Sequence, residues 1–192
     1  MTVVPYKDWH VTTGLKNLQG NPFQFVAQIY DHLLDCPLEV GKQQDIEFTV
    51  EGVKHVLSLF GRHEWKTDAL IRDMSKWIKV HKDFWGGFPY NRYVFFVHIS
   101  PSRSGGTEYL NSTILGSRPY IFTAPTSHYG FLGLFSHEDF HTWNVKQLRP
   151  AGMHPYDYSK ENYAKESWIV EGMTSYFSPK MMLHAGFLRE DQ

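Results

Sequence analysis

Residues 131–146 read FLGLFSHEDFHTWNVK, and the spacing of the two histidines in that run decides how the rest of the chain is understood. Phe131, Leu134, Phe135, Phe140 and Val145 supply apolar material, and no proline or glycine falls between Leu134 and Arg149. The pattern predicts a helix from Phe131 to about Lys146. Within it, His137-Glu138-Asp139-Phe140-His141 is an H-E-x-x-H motif. Helix positions four apart share a face, with Cβ atoms about 5–6 Å apart, so both imidazoles can reach one ion. Glu138 is placed to take a proton from a water that such an ion acidifies.

A catalytic zinc site takes three protein ligands, and two histidines with a glutamate is a standard set. The third ligand is therefore expected downstream, and Glu171 is the candidate. A solvated surface role suits Glu161 and Glu166. Glu171 differs because it sits in WIVEGM, with apolar Trp168, Ile169, Val170 and Met173 around it. A second helix is expected from about Glu161, kinking or restarting at Pro179 with Ser178 as its cap.

Upstream of residue 131 the texture changes to short apolar runs between turn signals. Phe23 to Tyr30, Ile46 to Val50 and His55 to Phe60 read as strands, with Glu51-Gly52 as a hairpin turn. Thr67 opens a helix whose apolar stripe is Leu70, Ile71, Met74, Trp77, Ile78 and His81, and which ends before Gly86-Gly87. Tyr93 to Ile99 and Tyr120 to Thr123 read as strands, with the polar SRSGGTEYLNST as a loop between them. The fold class expected is α+β: a mixed or antiparallel sheet followed by a helical part that carries the H-E-x-x-H helix.

Composition removes several other functions. The 19 Lys and Arg against 20 Asp and Glu leave a formal net charge of -1, which carries no electrostatic footprint of nucleic-acid or anionic-membrane binding. A single cysteine, Cys36, excludes an intrachain disulfide and Cys-x-x-Cys chemistry. No apolar run is long enough to span a bilayer, and the first residues lack the pattern of a signal peptide, so a soluble, cytoplasmic protein is expected. Of the 11 histidines, only His137 and His141 stand at ligand spacing; His81 and the remaining eight read as surface or satisfied interior residues.

HEDFHTWNVKQLRP, then DYS, then SWIVEGMTSYFSPKMMLHAG, resembles the catalytic core of the glycyl aminopeptidases, metallopeptidase family 61, in the gluzincin group related to thermolysin. Trp143, Asn144, Lys146, Arg149, Pro150, Trp168, Glu171, Gly172, Thr174, Tyr176, Ala185 and Gly186 fall in register with the family pattern. YDHLLDCPLEVG at 30–41 and SGGTEYLNST at 104–113 extend the likeness upstream. The resemblance implies one zinc ion per chain held by His137, His141 and Glu171, with Glu138 as general base. It implies a peptide substrate with a small N-terminal residue, whose free amine Glu108 grips while Gly105 and Gly106 let the backbone approach. The strand at Tyr93 to Ile99 is the expected edge along which substrate aligns.

The same resemblance divides the chain at 22/23. Residues 1–22 read as the tail of an upstream β-domain or a linker, and 23–192 as part of a catalytic domain, with its sheet part at 23–130 and its zinc-helix part at 131–192. The chain then reads as a segment of a longer peptidase whose oxyanion residue and PDZ-like region lie downstream. Two other readings stay open: an endopeptidase that ignores the free amine, and a zinc- or peptide-binding fragment without turnover.

Overall fold

The computed structural model describes residues 1–189; the last three residues of the expected catalytic range lie outside the described residues. Its centre is a five-stranded mixed sheet in the order β5 (Gln44–Val50), β6 (Val53–Phe60), β7 (Arg92–Ile99), β9 (Ser112–Ser117) and β8 (Gly106–Tyr109). Before it come three short strands, β1 (His10–Thr13), β2 (Lys16–Asn17) and β3 (Phe25–Val26), the one-and-a-half-turn helix α1 (Tyr30–Leu34), and β4 (Leu38–Gly41). β1 pairs with β4 and β2 with β3, both antiparallel. The run expected as a strand from Phe23 to Tyr30 thus yields two strand residues and the start of a helix. Asp31 and Asp35, bonded to Arg149 and Lys146, draw that segment onto the chain beyond the metal motif.

β5 (Gln44–Val50) and β6 (Val53–Phe60) form the expected hairpin. Glu51 at φ 49° and Gly52 at φ 82° make its two-residue turn, the left-handed pair that matches the twist of flanking strands. α2 (Thr67–Trp85) follows, burying Leu70, Met74, Trp77, Ile78 and His81, and Gly86 at φ 80° ends it with its N–H on the Lys82 carbonyl. A parallel crossover then places β7 (Arg92–Ile99) beside β6.

The polar stretch expected as a loop is a hairpin, β8 (Gly106–Tyr109) and β9 (Ser112–Ser117). Residues 120–123, expected as a strand, form turns instead. β7 is consequently an interior strand, flanked by β6 and β9, and the sheet edge on this side is β8. Periodicity failed here because an edge hairpin can be polar: Thr107 and Glu108 need no apolar partner, and Ser112 and Thr113 are buried under the neighbouring strand.

α3 runs from Pro125 to Phe140 and α4 from Ser167 to His184. α3 starts six residues earlier than its apolar pattern suggested, with Pro125 preset for the first turn. It also ends earlier: His141 is its last half-helical residue and 142–147 continue as turns, because the Asn144 carbonyl bonds back to the His141 ring at 3.0 Å. α4 is one helix with Pro179 inside it, not two. Its expected cap, Ser178, is instead buried and donates to the Thr174 carbonyl at 2.8 Å. One face of the sheet, with Tyr93, Phe95, Val97, Leu57 and Leu115, packs against Trp77, Phe131, Phe135 and Trp143 from the helical side to form the main core. Among the described residues no helix is long and apolar enough to cross a membrane.

Candidate active site

The end of α3 and the first half of α4 lie against each other in opposite directions. Ser136 reaches the Ser178 carbonyl, while Asn144 reaches the Val170 carbonyl and Thr174 Oγ1, both at 3.0 Å. That pairing brings Glu171 over the two histidines. His137 Nε2 and His141 Nε2 are 3.1 Å apart, and Glu171 Oε2 is 3.6 Å from each. Donors held at 2.0–2.2 Å around a tetrahedral ion lie about 3.3–3.6 Å from one another, so these three atoms suit a single small cation. His137, His141 and Glu171 are the group among the described residues with metal-ligand geometry.

The imidazoles are prepared for that role. His141 Nδ1 lies 3.0 Å from the Asn144 carbonyl and 3.3 Å from Thr174 Oγ1. A carbonyl only accepts, so Nδ1 carries the hydrogen and Nε2 presents its lone pair toward His137 and Glu171. Burial, and next the neighbouring His141, hold the His137 pKa below the usual imidazole value, with Glu171 and Glu108 opposing. The His137 ring therefore favours the neutral, ligating form.

Glu138 is 5% exposed. Burial first, then the charges of Glu108 and Glu171, push its carboxyl up to about 8. Glu108 stands on the edge strand β8, half-buried, close enough for its charge to act on His137, Glu138 and Tyr93. Gly105 precedes it at φ 81°, a conformation that favours glycine. Every candidate residue therefore sits on one side of the sheet end, between β8, α3 and the exposed Glu171 of α4. A cleft of about 300 Å³ opens beside His137, lined by Tyr129, Gly133, Ser175, Pro179 and Met182 among others. Two larger cavities, each about 520 Å³, are lined by none of the three ligand candidates.

Behind the site lies a buried group that the sequence reading passed over. His81 of α2 bonds Asp139 Oδ2 through Nδ1 at 2.8 Å and Ser136 Oγ through Nε2 at 3.0 Å. The order serine, histidine, aspartate is that of a hydrolytic triad, but all three side chains are 0% exposed, so no substrate carbonyl can reach the hydroxyl. The group is a strut: it ties α2 to α3 at Asp139, between His137 and His141, and, through Ser136, touches α4. An acidic residue inside an otherwise apolar helix and a histidine on the apolar stripe of α2 were the signals that could have revealed it.

The H-E-x-x-H helix, the facing Glu171 on the next helix and the edge strand beside them lie together at one end of the sheet, in a fold shared with zinc metallopeptidase domains. The family model described as M61 glycyl aminopeptidase matches residues 130–192, and the one described as Peptidase M61 N-terminal domain matches 1–42. A solved aminopeptidase N family protein from Idiomarina loihiensis is 33% identical with a TM-score of 0.88, over 95% of this chain and 33% of that one. The chain belongs to the M61 glycyl aminopeptidase family, and it spans about a third of the length of that solved relative. An M1 zinc metallopeptidase from Deinococcus radiodurans shares the fold at 16% identity and a TM-score of 0.58, over 93% of this chain and 38% of that one. A two-domain M1 zinc metallopeptidase bound to L-arginine does so at 15% and 0.60, over 93% and 38%. No curated protein matches the sequence.

Proposed function

We propose that this chain carries the zinc-dependent catalytic machinery of an aminopeptidase that removes a small N-terminal residue, glycine or alanine, from peptides. The observation that carries the reading is the convergence of His137, His141 and Glu171 within 3.1–3.6 Å of one another beside the buried Glu138. Two imidazoles and one carboxylate are the donor set that zinc takes in a catalytic site, leaving a position for water. Zinc held there supplies Lewis acidity, which polarises a scissile carbonyl and makes water a better acid.

The remaining work belongs to the protein. Glu138 takes the proton from the attacking water and returns it to the departing amine. Asn144 and Thr174 fix the His141 ring so that Nε2 stays turned to the ion. The free edge of β8 offers unpaired main-chain groups to an extended peptide, and Glu108 on that strand faces its ammonium. Glu108, Glu138 and Glu171 place three carboxyls at one site, which suits a substrate that arrives with a positive charge. The division of the chain at 22/23 belongs to the same proposal.

The reading is tested by comparing a glycine-initiated peptide with its N-acetylated form, using the zinc-loaded full-length protein. Only the free-amine peptide is expected to be cleaved at an appreciable rate. Equal rates would assign the site to an endopeptidase and remove Glu108 from its role.

A further inference from the structure

We propose that Gly106 lacks a side chain so that Glu138 can occupy its working position: the first residue of β8 is the seat of the general base. The inference rests on the reading of Glu138 given above and adds a residue that positions it. A Cβ built at Gly106 would lie 2.6 Å from each of Cγ, Cδ and Oε1 of Glu138, far inside the roughly 3.5 Å at which non-bonded carbon atoms rest. The backbone supplies no other reason for glycine. Gly105 has φ 81°, whereas Gly106 lies outside the left-handed region, so alanine suits its conformation.

The strand beneath the carboxyl is fixed. Gly106 pairs with Leu115, the Gly116 N–H donates to the Gly105 carbonyl at 2.8 Å, and Thr113 Oγ1 donates to the Thr107 carbonyl at 3.0 Å. Glu138 is anchored on α3, 5% exposed, and makes no side-chain hydrogen bond among the described residues. Its carboxyl is therefore located by packing between α3 and the bare backbone of β8. That arrangement suits a proton carrier, since no fixed partner competes for the oxygen lone pairs. A methyl group at 106 leaves the strand in place and forces the carboxyl aside.

The test is Gly106→Ala in the full-length protein. The crystal structure of the zinc-loaded variant is expected to show the Glu138 carboxyl displaced by more than about 1 Å over an unmoved β8, with one zinc retained. Such a misplacement lowers kcat by about 10²-fold, with KM expected within twofold of wild type. Glu138→Asp shortens the side chain by one methylene, so Gly106→Ala is expected to cost it far less than it costs the wild type. An unmoved Glu138 with unchanged kcat would overturn the proposal. So would a raised KM with intact kcat, which assigns Gly106 to peptide approach. If Glu138→Gln keeps its turnover the base reading falls, while the displacement in the alanine structure still decides the seat.

Discussion

The roles proposed for Glu138, His141 and Glu171 can be separated one residue at a time. Glu138→Gln keeps the shape of the side chain and removes its ability to take a proton. Zinc content is expected to stay at the wild-type value while kcat falls by about 10²–10⁴-fold; preserved turnover in a steady-state assay would refute the base. Asn144 has a quieter part. Its side chain bonds the Val170 carbonyl and Thr174 Oγ1 on α4, and its carbonyl fixes the His141 tautomer. Asn144→Ala is expected to weaken zinc binding by about 10- to 100-fold, as losses behind a metal ligand do, measured by competition with a chelator. The H-E-x-x-H spacing made the two histidines legible from sequence because four residues is a helical repeat. Asn144 and Thr174 were not legible in this way, since their meeting depends on how α3 crosses α4.

At the scale of elements, the strut of His81, Ser136 and Asp139 holds the metal helix against α2. His81→Leu leaves the Asp139 carboxyl buried without its partner, and a loss of about 2–4 kcal/mol in urea unfolding is expected. Replacing Asp139 by Asn at the same time removes the buried charge and should recover part of that loss. Losses of His81→Leu and of Asp139→Asn alone that add up to the loss of the double variant would mean that the pair is not coupled. Elements set by local chemistry were readable in advance. Gly86 stops α2 because it reaches φ 80° without penalty, and Glu51-Gly52 closes β5 onto β6. The hairpin of β8 and β9 was not readable, because a polar edge strand is stabilised by its ladder to β9 and carries no apolar alternation of its own. Missing it moved the expected substrate edge from β8 to β7.

For the molecule as a whole, the core couples stability to acidity. His55 is 0% exposed, between Phe48 and Phe95, and burial holds its pKa below the usual imidazole value. The unfolded chain binds the proton more readily than the folded one. This contribution to stability is present above the unfolded pKa of about 6.5 and is lost as pH falls through the lower folded value, by up to about 1.4 kcal/mol per unit. Denaturation midpoints at pH 7.5 and 5.5 are expected to fall with acidification, and to fall less in His55→Phe; an equal fall would remove His55 as a source. The sheet, the helices and the metal group together make one account, in which a mixed sheet presents its β8 edge to a cation held between α3 and α4. The most direct measurement is the zinc stoichiometry of the full-length protein, beside the same measurement on a His141→Ala, Glu171→Ala double variant. One zinc per chain is expected in the first and almost none in the second. Absence of tight zinc binding in the wild type, or undiminished binding in the double variant, would contradict the account.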